Sequence, residues 1–170
     1  MNHWWVTALL LFSPVLFAED YRHTIGGGLS YGEKLNRDAD FWGWTIDYGT
    51  ALNSKWFFTV SLAWDEETDR DSKRPEKKVR SYTPTFVWSY AFHPRWSVGA
   101  GFGKGIINDD NRDESYELVD WDKEWAVGAT VVFNALKVGR HNFNLASALE
   151  YDLSDGAPQL SVDINYAWDF

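Results

Sequence analysis

From Gln159 to Phe170 the chain alternates without a break. Leu160, Val162, Ile164, Tyr166, Trp168 and Phe170 are apolar; Gln159, Ser161, Asp163, Asn165, Ala167 and Asp169 between them are polar or small. Period two over this length predicts a strand with one face against an apolar medium and the other against a wet one. The rhythm recurs seven times upstream. Residues 23–34 set Ile25, Leu29 and Tyr31 against Gly26, Gly28, Ser30 and Gly32. Residues 41–52 set Trp42, Trp44, Ile46 and Tyr48 against Gly43, Thr45, Asp47 and Gly49. Further strands are expected at 56–65, 79–92, 96–107, 120–133 and 142–152, with Trp56, Trp64, Trp88, Trp96, Trp121 and Trp125 on their apolar faces. Eight strands therefore fit residues 23–170.

The connections alternate in length. Residues 53–55, 93–95 and 137–141 are short; 36–40, 65–78, 108–119 and 154–158 are longer and more polar. An even number of strands joined this way returns both termini to the short-turn side. Pro84 is the local violation, because proline cannot donate to a ladder and marks an edge or a bulge.

Composition then separates a membrane barrel from a soluble sandwich. Beyond residue 18 no run approaches the ~20 apolar residues of a membrane helix, yet 18% of the chain is aromatic, including 11 Trp. A barrel uses such residues as girdles at the two membrane interfaces. A mean hydropathy of -0.40 is compatible, since half of each strand faces inward. The net charge of -9 argues against nucleic acid as a partner. Residues 6–17 form an apolar stretch of secretory length, followed by Ala18-Glu19-Asp20. We read 1–18 as a signal peptide and 19–170 as the barrel. Without cysteine, disulfides, thiolate metal sites and a lipoprotein anchor are excluded.

The whole pattern resembles the small eight-stranded outer-membrane barrels that include the OmpA membrane domain and OmpX. That resemblance implies an all-β, antiparallel, up-and-down transmembrane barrel in the outer membrane of a Gram-negative bacterium. It also implies that Tyr166, Trp168 and Phe170 form the signal read by the barrel-assembly machinery. It implies no particular activity, because such barrels include adhesins, anchors, channels and lipid A-modifying enzymes.

Within such a barrel, parity assigns the candidate sites. Asp47, Glu124, Glu150 and Asp163 point inward, with Asp169 and Asp65 at the two ends, and Lys34 is the clear inward base. Like charges confined together share protons, hold a cation or recruit a base. The plainer expectation is a hydrogen-bonded lumen with Thr45, Thr59, Thr130, Asn144 and Asn165. Gly26, Gly28, Gly32, Gly99, Gly101, Gly103 and Gly105 also point inward, to admit larger side chains opposite, to let strongly tilted strands bend or to line a narrow cavity. Arg80, Lys104 and Lys123 fall on outward positions at the long-loop end of neighbouring strands. Cations on apolar stems at that height suit the phosphates of lipopolysaccharide.

The loop Asp109, Asn111, Asp113, Ser115, Glu117 and Asp120 spaces oxygen donors like a calcium hand, but Glu114 stands where the turn wants glycine and no helices flank it. It is at most a loose metal contact, and no cofactor is expected. His23, His93 and His141 all fall at the short-turn end, away from any outward-leaflet chemistry, so no catalytic group is assigned. The expectation is a structural or recognition barrel that contacts lipopolysaccharide and shows charged loops to an external ligand. A narrow cation or small-solute passage is the first alternative, lipid A chemistry the second.

Overall fold

A computed structural model describes residues 23–35, 39–69, 77–108, 125–153, 156 and 158–170. Its strands are β1 His23–Lys34, β2 Ala39–Ala51, β3 Trp56–Asp69, β4 Lys77–His93, β5 Trp96–Lys104, β6 Ile106–Asn108, β7 Trp125–Val138, β8 His141–Asp152 and β9 Pro158–Asp169. Sequence neighbours pair antiparallel except around β6, where β4 takes both β5 and β6 and β5 pairs on with β7; β9 pairs with β1, so the sheet closes on itself. β5 and β6 pair with β4 at one common offset, Thr85↔Gly103 and Tyr82↔Ile106, on either side of Gly105. They are two parts of one stave, and the barrel is eight-stranded. Closure leaves no edge, which is what allows strands to cross lipid with every ladder group paired within the sheet.

Pro84 explains the interruption. The amide of Ala91 donates to the Lys55 carbonyl on the β3 side. By strict alternation the even-numbered residues of β4 then direct their amides toward β5 and β6. The donor that Pro84 lacks is therefore missing from the seam where β5 stops. Contrary to the edge or bulge expected at Pro84, pairing is unshifted across it on both sides, with Leu62↔Pro84 opposite.

A circuit of the register gives the barrel its geometry. Thr24 pairs with Gly49, then Thr59, Val87, Gly101, Gly128, Glu150, Gln159 and finally Lys34. The path returns to β1 ten residues further along than it began. With ~3.3 Å per residue and ~4.7 Å between strands, that stagger over eight staves tilts the strands by about 41°, within the usual barrel range.

The period-two expectation holds throughout the lipid belt. Ile46, Val131, Leu145 and Ile164 are exposed on the outside, between an aromatic belt at the short-turn end (Tyr48, Trp56, Trp96, Tyr166) and one at the other end (Tyr31, Trp42, Tyr82, Trp125). Ser147 also faces outward, and its hydroxyl donates to the Ser161 carbonyl at 3.1 Å, so this group does not meet lipid unpaired. Three boundaries differ from expectation. β3 and β4 continue to Asp69 and from Lys77, taking in much of the expected second loop. β7 is described from Trp125 and runs on to Val138 through a bulge between Asn134 and Leu136. The turn to β8 is then only Gly139-Arg140, with Gly139 at φ 59°. Residues 1–18, read as a signal peptide, lie outside the described residues.

Candidate functional site

The lumen is filled by a register of small residues on one stave and larger side chains on the next. A Cβ placed on Gly28 would fall on Asn165 Oδ1, one on Gly43 on Asp65 Oδ1, and one on Gly32 on the Phe41 ring. On β5 a Cβ at Gly99 would come within 2.8 Å of Ser89 Oγ, and one at Gly103 within 2.8 Å of Thr85 Cγ2. Glycine stands at these positions because a neighbour's side chain already occupies the space. Between them Val87, Val132 and Ala146 form a small apolar cluster at the interior. Of the roles expected for the inward glycines, admitting larger side chains is the one seen at Gly28, Gly32, Gly99 and Gly103.

Polar groups surround that cluster. At the short-turn end Asn134 donates to Asn144 at 3.0 Å and to Asn142 at 3.4 Å. Lys137 reaches Asp169 at 3.1 Å and closes the mouth beneath them. Strand parity counted from Phe133 would turn Lys137 toward lipid. The bulge at Asn134/Leu136 reverses that parity, and no sequence signal marks it.

The predicted carboxylates Asp47, Glu150 and Asp163 are all buried in the lumen, each at most 2% exposed. Asp47 accepts from Thr45 at 3.2 Å and Asp163 more weakly from Ser161 at 3.5 Å. Glu150 accepts a short 2.6 Å bond from Gln159, its direct neighbour across the β8–β9 ladder. Asp65 and Asp163 also lie within electrostatic reach of Glu150. Glu124 lies outside the described residues.

Above this level sits the ion pair of Lys34 with Glu67, 3.1 Å apart, both side chains at most 6% exposed. Lys34 is also near enough to Glu150 to act on its charge, and Gln159 lies between them in the register. Lys34 was expected inside; Glu67 was not, because residues 66–69 were read as loop. Asp152, two residues beyond Glu150, shares its inward parity and is buried as well. The expected threonine and asparagine lining (Thr45, Thr59, Thr130, Asn144, Asn165) is buried, with the Thr130 hydroxyl donating to the Ser147 carbonyl at 3.0 Å.

On the outside, Arg80 and Lys104 face away from the lumen as expected. Arg80 Nε donates to Glu66 Oε2 at 3.1 Å, from its direct cross-strand partner. Lys104 Nζ lies 5.4 Å from the centre of the Trp125 ring, an amphipathic placement at a membrane interface. Lys123 lies outside the described residues, as do Asp109, Asn111, Asp113, Glu117 and Asp120. Among the described residues no group of three His, Asp or Glu side chains is arranged to hold a metal ion.

Tyr166, Trp168 and Phe170 line the outer face at the short-turn end. There the Tyr166 hydroxyl is 2.6 Å from His141 Nδ1, and Tyr48 is 2.8 Å from His23 Nδ1. His141 and His23 are thus partners of the aromatic belt, while His93 accepts from the Arg95 amide in its own turn, all at the short-turn end where the sequence put them.

Several solved structures share this architecture. Ail, the attachment invasion locus protein of Yersinia pestis, aligns with a TM-score of 0.53 and 20% identity, over 89% of this chain and 100% of that one. OprG from Pseudomonas aeruginosa aligns with a TM-score of 0.52 at 11% identity, over 88% and 96% of the two chains. Neisserial surface protein A aligns with a TM-score of 0.55 at 11% identity, over 88% and 97%. Identities this low speak for the fold alone. A comparison with curated protein sequences finds no match. The family itself is identified by sequence: residues 6–168 match the outer membrane protein beta-barrel domain. With the closed eight-stranded barrel and its two aromatic belts, the chain is a member of that family, a protein of the outer membrane of a Gram-negative bacterium.

Proposed function

We propose that this barrel works from its outer face and extracellular rim, as a structural or recognition protein of the envelope. In this reading Arg80, Lys104 and Lys123 engage the phosphates of lipopolysaccharide, and the charged loops meet an external ligand. The observation that carries it is the filled interior. Where a conduit would need space, Gly28, Gly43, Gly99 and Gly103 are overlain by side chains of the adjacent staves. Eight strands leave an interior just wide enough for such filling, so the surfaces left to recognise a partner are outside. Arg80 comes to that role already oriented by Glu66, and Lys104 by Trp125. Arginine has five donors in a planar fork that matches phosphate geometry.

The test is lipopolysaccharide binding to the purified barrel and to R80Q/K104Q/K123Q, read as the rise in melting temperature on adding lipopolysaccharide. Charge-assisted contacts of this kind contribute ~1.5–3 kcal/mol each, so the triple variant should bind at least about tenfold more weakly. Equal binding by the two proteins would remove the proposal.

A second reading has one observation in its favour. One oxygen each of Asp47, Glu150 and Asp163 is buried without a hydrogen-bond partner, as groups awaiting a cation or proton would be. Single-channel recording in planar bilayers separates the two: steps that vanish in D47N/E150Q/D163N would favour passage. Catalysis is not part of the proposal. His23, His93 and His141 stand at the periplasmic end, so lipid A from cells with and without the protein should have the same mass.

A further inference from the structure

The formal charge of -9 is unevenly distributed along the barrel axis. The carboxylates described above crowd the lumen and its extracellular half. At the periplasmic end every turn carries an exposed cation: Lys55 in the turn from β2 to β3, Arg95 in the turn from β4 to β5, and Arg140 in the turn from β7 to β8. Among the described residues of this rim the opposing acid is Asp169, which is buried and already paired with Lys137.

The placement of these cations relative to lipid is set by the residues beside them. Lys55 directly precedes Trp56 and Arg95 directly precedes Trp96, both exposed members of the periplasmic aromatic belt. Arg140 precedes His141, which holds the Tyr166 hydroxyl of the same belt. Belt aromatics settle at the level of the headgroups, so a cation one residue beyond them stands at the phosphates or just past them. The three turns are spread around the barrel, separated by two, two and four staves, and so form a collar rather than a single pocket. A collar of cations set apart from one another at phosphate height does not enclose a compact ligand. It fits a ring of anionic headgroups.

We infer that the periplasmic rim is a docking surface for anionic phospholipids of the inner leaflet of the outer membrane, with Lys55, Arg95 and Arg140 as the contacts. This collar is distinct from the lipopolysaccharide contacts proposed above, which lie at the opposite end of the barrel. It orders the shell of lipid around the periplasmic belt and fixes the depth at which the barrel sits.

The test uses the full protein in phosphatidylcholine bilayers containing a small fraction of spin-labelled phosphatidylglycerol or spin-labelled phosphatidylcholine. Electron spin resonance then yields the relative association constant of the two lipids for the barrel surface. One cation near the surface favours an anionic headgroup by ~1 kcal/mol, about fivefold. The wild type should therefore prefer phosphatidylglycerol by about that factor, and K55Q/R95Q/R140Q should lose the preference. All three positions lie in exposed turns, so the variant keeps the barrel, which circular dichroism checks. R80Q/K104Q serves as the control from the other rim and should keep the preference. A wild type with no preference, a collar variant that retains it, or a control that loses it would each overturn the inference.

Discussion

Replacing Lys34 by methionine should destabilise the barrel more than any single substitution among the carboxylates around it. Lys34 is 5% exposed, forms the 3.1 Å pair with Glu67, and lies within reach of Glu150. Methionine keeps most of the apolar stem, so the packing loss is small and the effect is electrostatic. Removing one partner of a buried pair typically costs about 3–5 kcal/mol, because the other charge is left without compensation. The extracellular mouth is close by, so we expect the lower end, about 3 kcal/mol. E67Q is the informative comparison. It leaves Lys34 with Glu150 still in reach and keeps an oxygen acceptor at position 67, so its loss should be about 1 kcal/mol. The double variant K34M/E67L removes both charges, and should recover part of what K34M loses. The assay is reversible urea unfolding in phospholipid vesicles, followed by tryptophan fluorescence. A K34M loss below about 1 kcal/mol, or an E67Q loss equal to it, would refute the view that one lysine compensates several lumen carboxylates.

Other substitutions test the packing and the wall. G28V places methyl groups where the Asn165 amide lies, and should cost at least about 1–3 kcal/mol in the same unfolding assay. G139A meets nothing within 4 Å but holds φ at 59°; its loss should be only about 1 kcal/mol and purely conformational. P84V restores an amide to the interrupted seam, so hydrogen exchange at residues 103–106 should slow and stability should rise by about 1 kcal/mol. If exchange there is unchanged, the missing donor is not the cause of the break. F170S should lower the yield of barrel assembled in the outer membrane while leaving urea unfolding of refolded protein within about 1 kcal/mol of wild type. A matching loss in both would make Phe170 a stability residue rather than an assembly signal.

What the sequence discloses follows from where lipid is. Inside the belt, one face of each strand must be apolar, so the alternation of Leu160 to Phe170 and its seven upstream counterparts locates the staves and sorts Asp47, Glu150 and Asp163 inward. Above the belt water touches both faces, and alternation ceases. Glu66, Glu67, Thr68 and Asp69 then look like loop, although they continue the β3–β4 ladder. For that reason neither the Arg80–Glu66 pair nor the Lys34–Glu67 pair is legible from sequence, though Arg80 and Lys34 themselves are. Lys137 was hidden differently. A bulge changes parity without any required residue type, so an inward lysine looks outward until the ladder is traced. The partnership of Lys34 with β3 and of Gln159 with Glu150 depends on the stagger of the whole circuit, which no local pattern encodes.

The closed circuit also governs where the chain can gain or lose a residue. In an open sheet a slip of one residue runs out at an edge. Here the path from Thr24 must return at Lys34, so an insertion within any stave would turn its lipid face inward from that point on and leave the seam unable to close in register. Among the described residues the two shifts of register, at Ala91/His93 and Asn134/Leu136, stand at the periplasmic ends of β4 and β7, near short turns. There an extra residue is absorbed no more than three strand residues before the turn, and little of the lipid face lies beyond it to be reversed. Changes of chain length are thus confined to the ends of the staves and to the loops, while the belt between them can vary only in what it is made of.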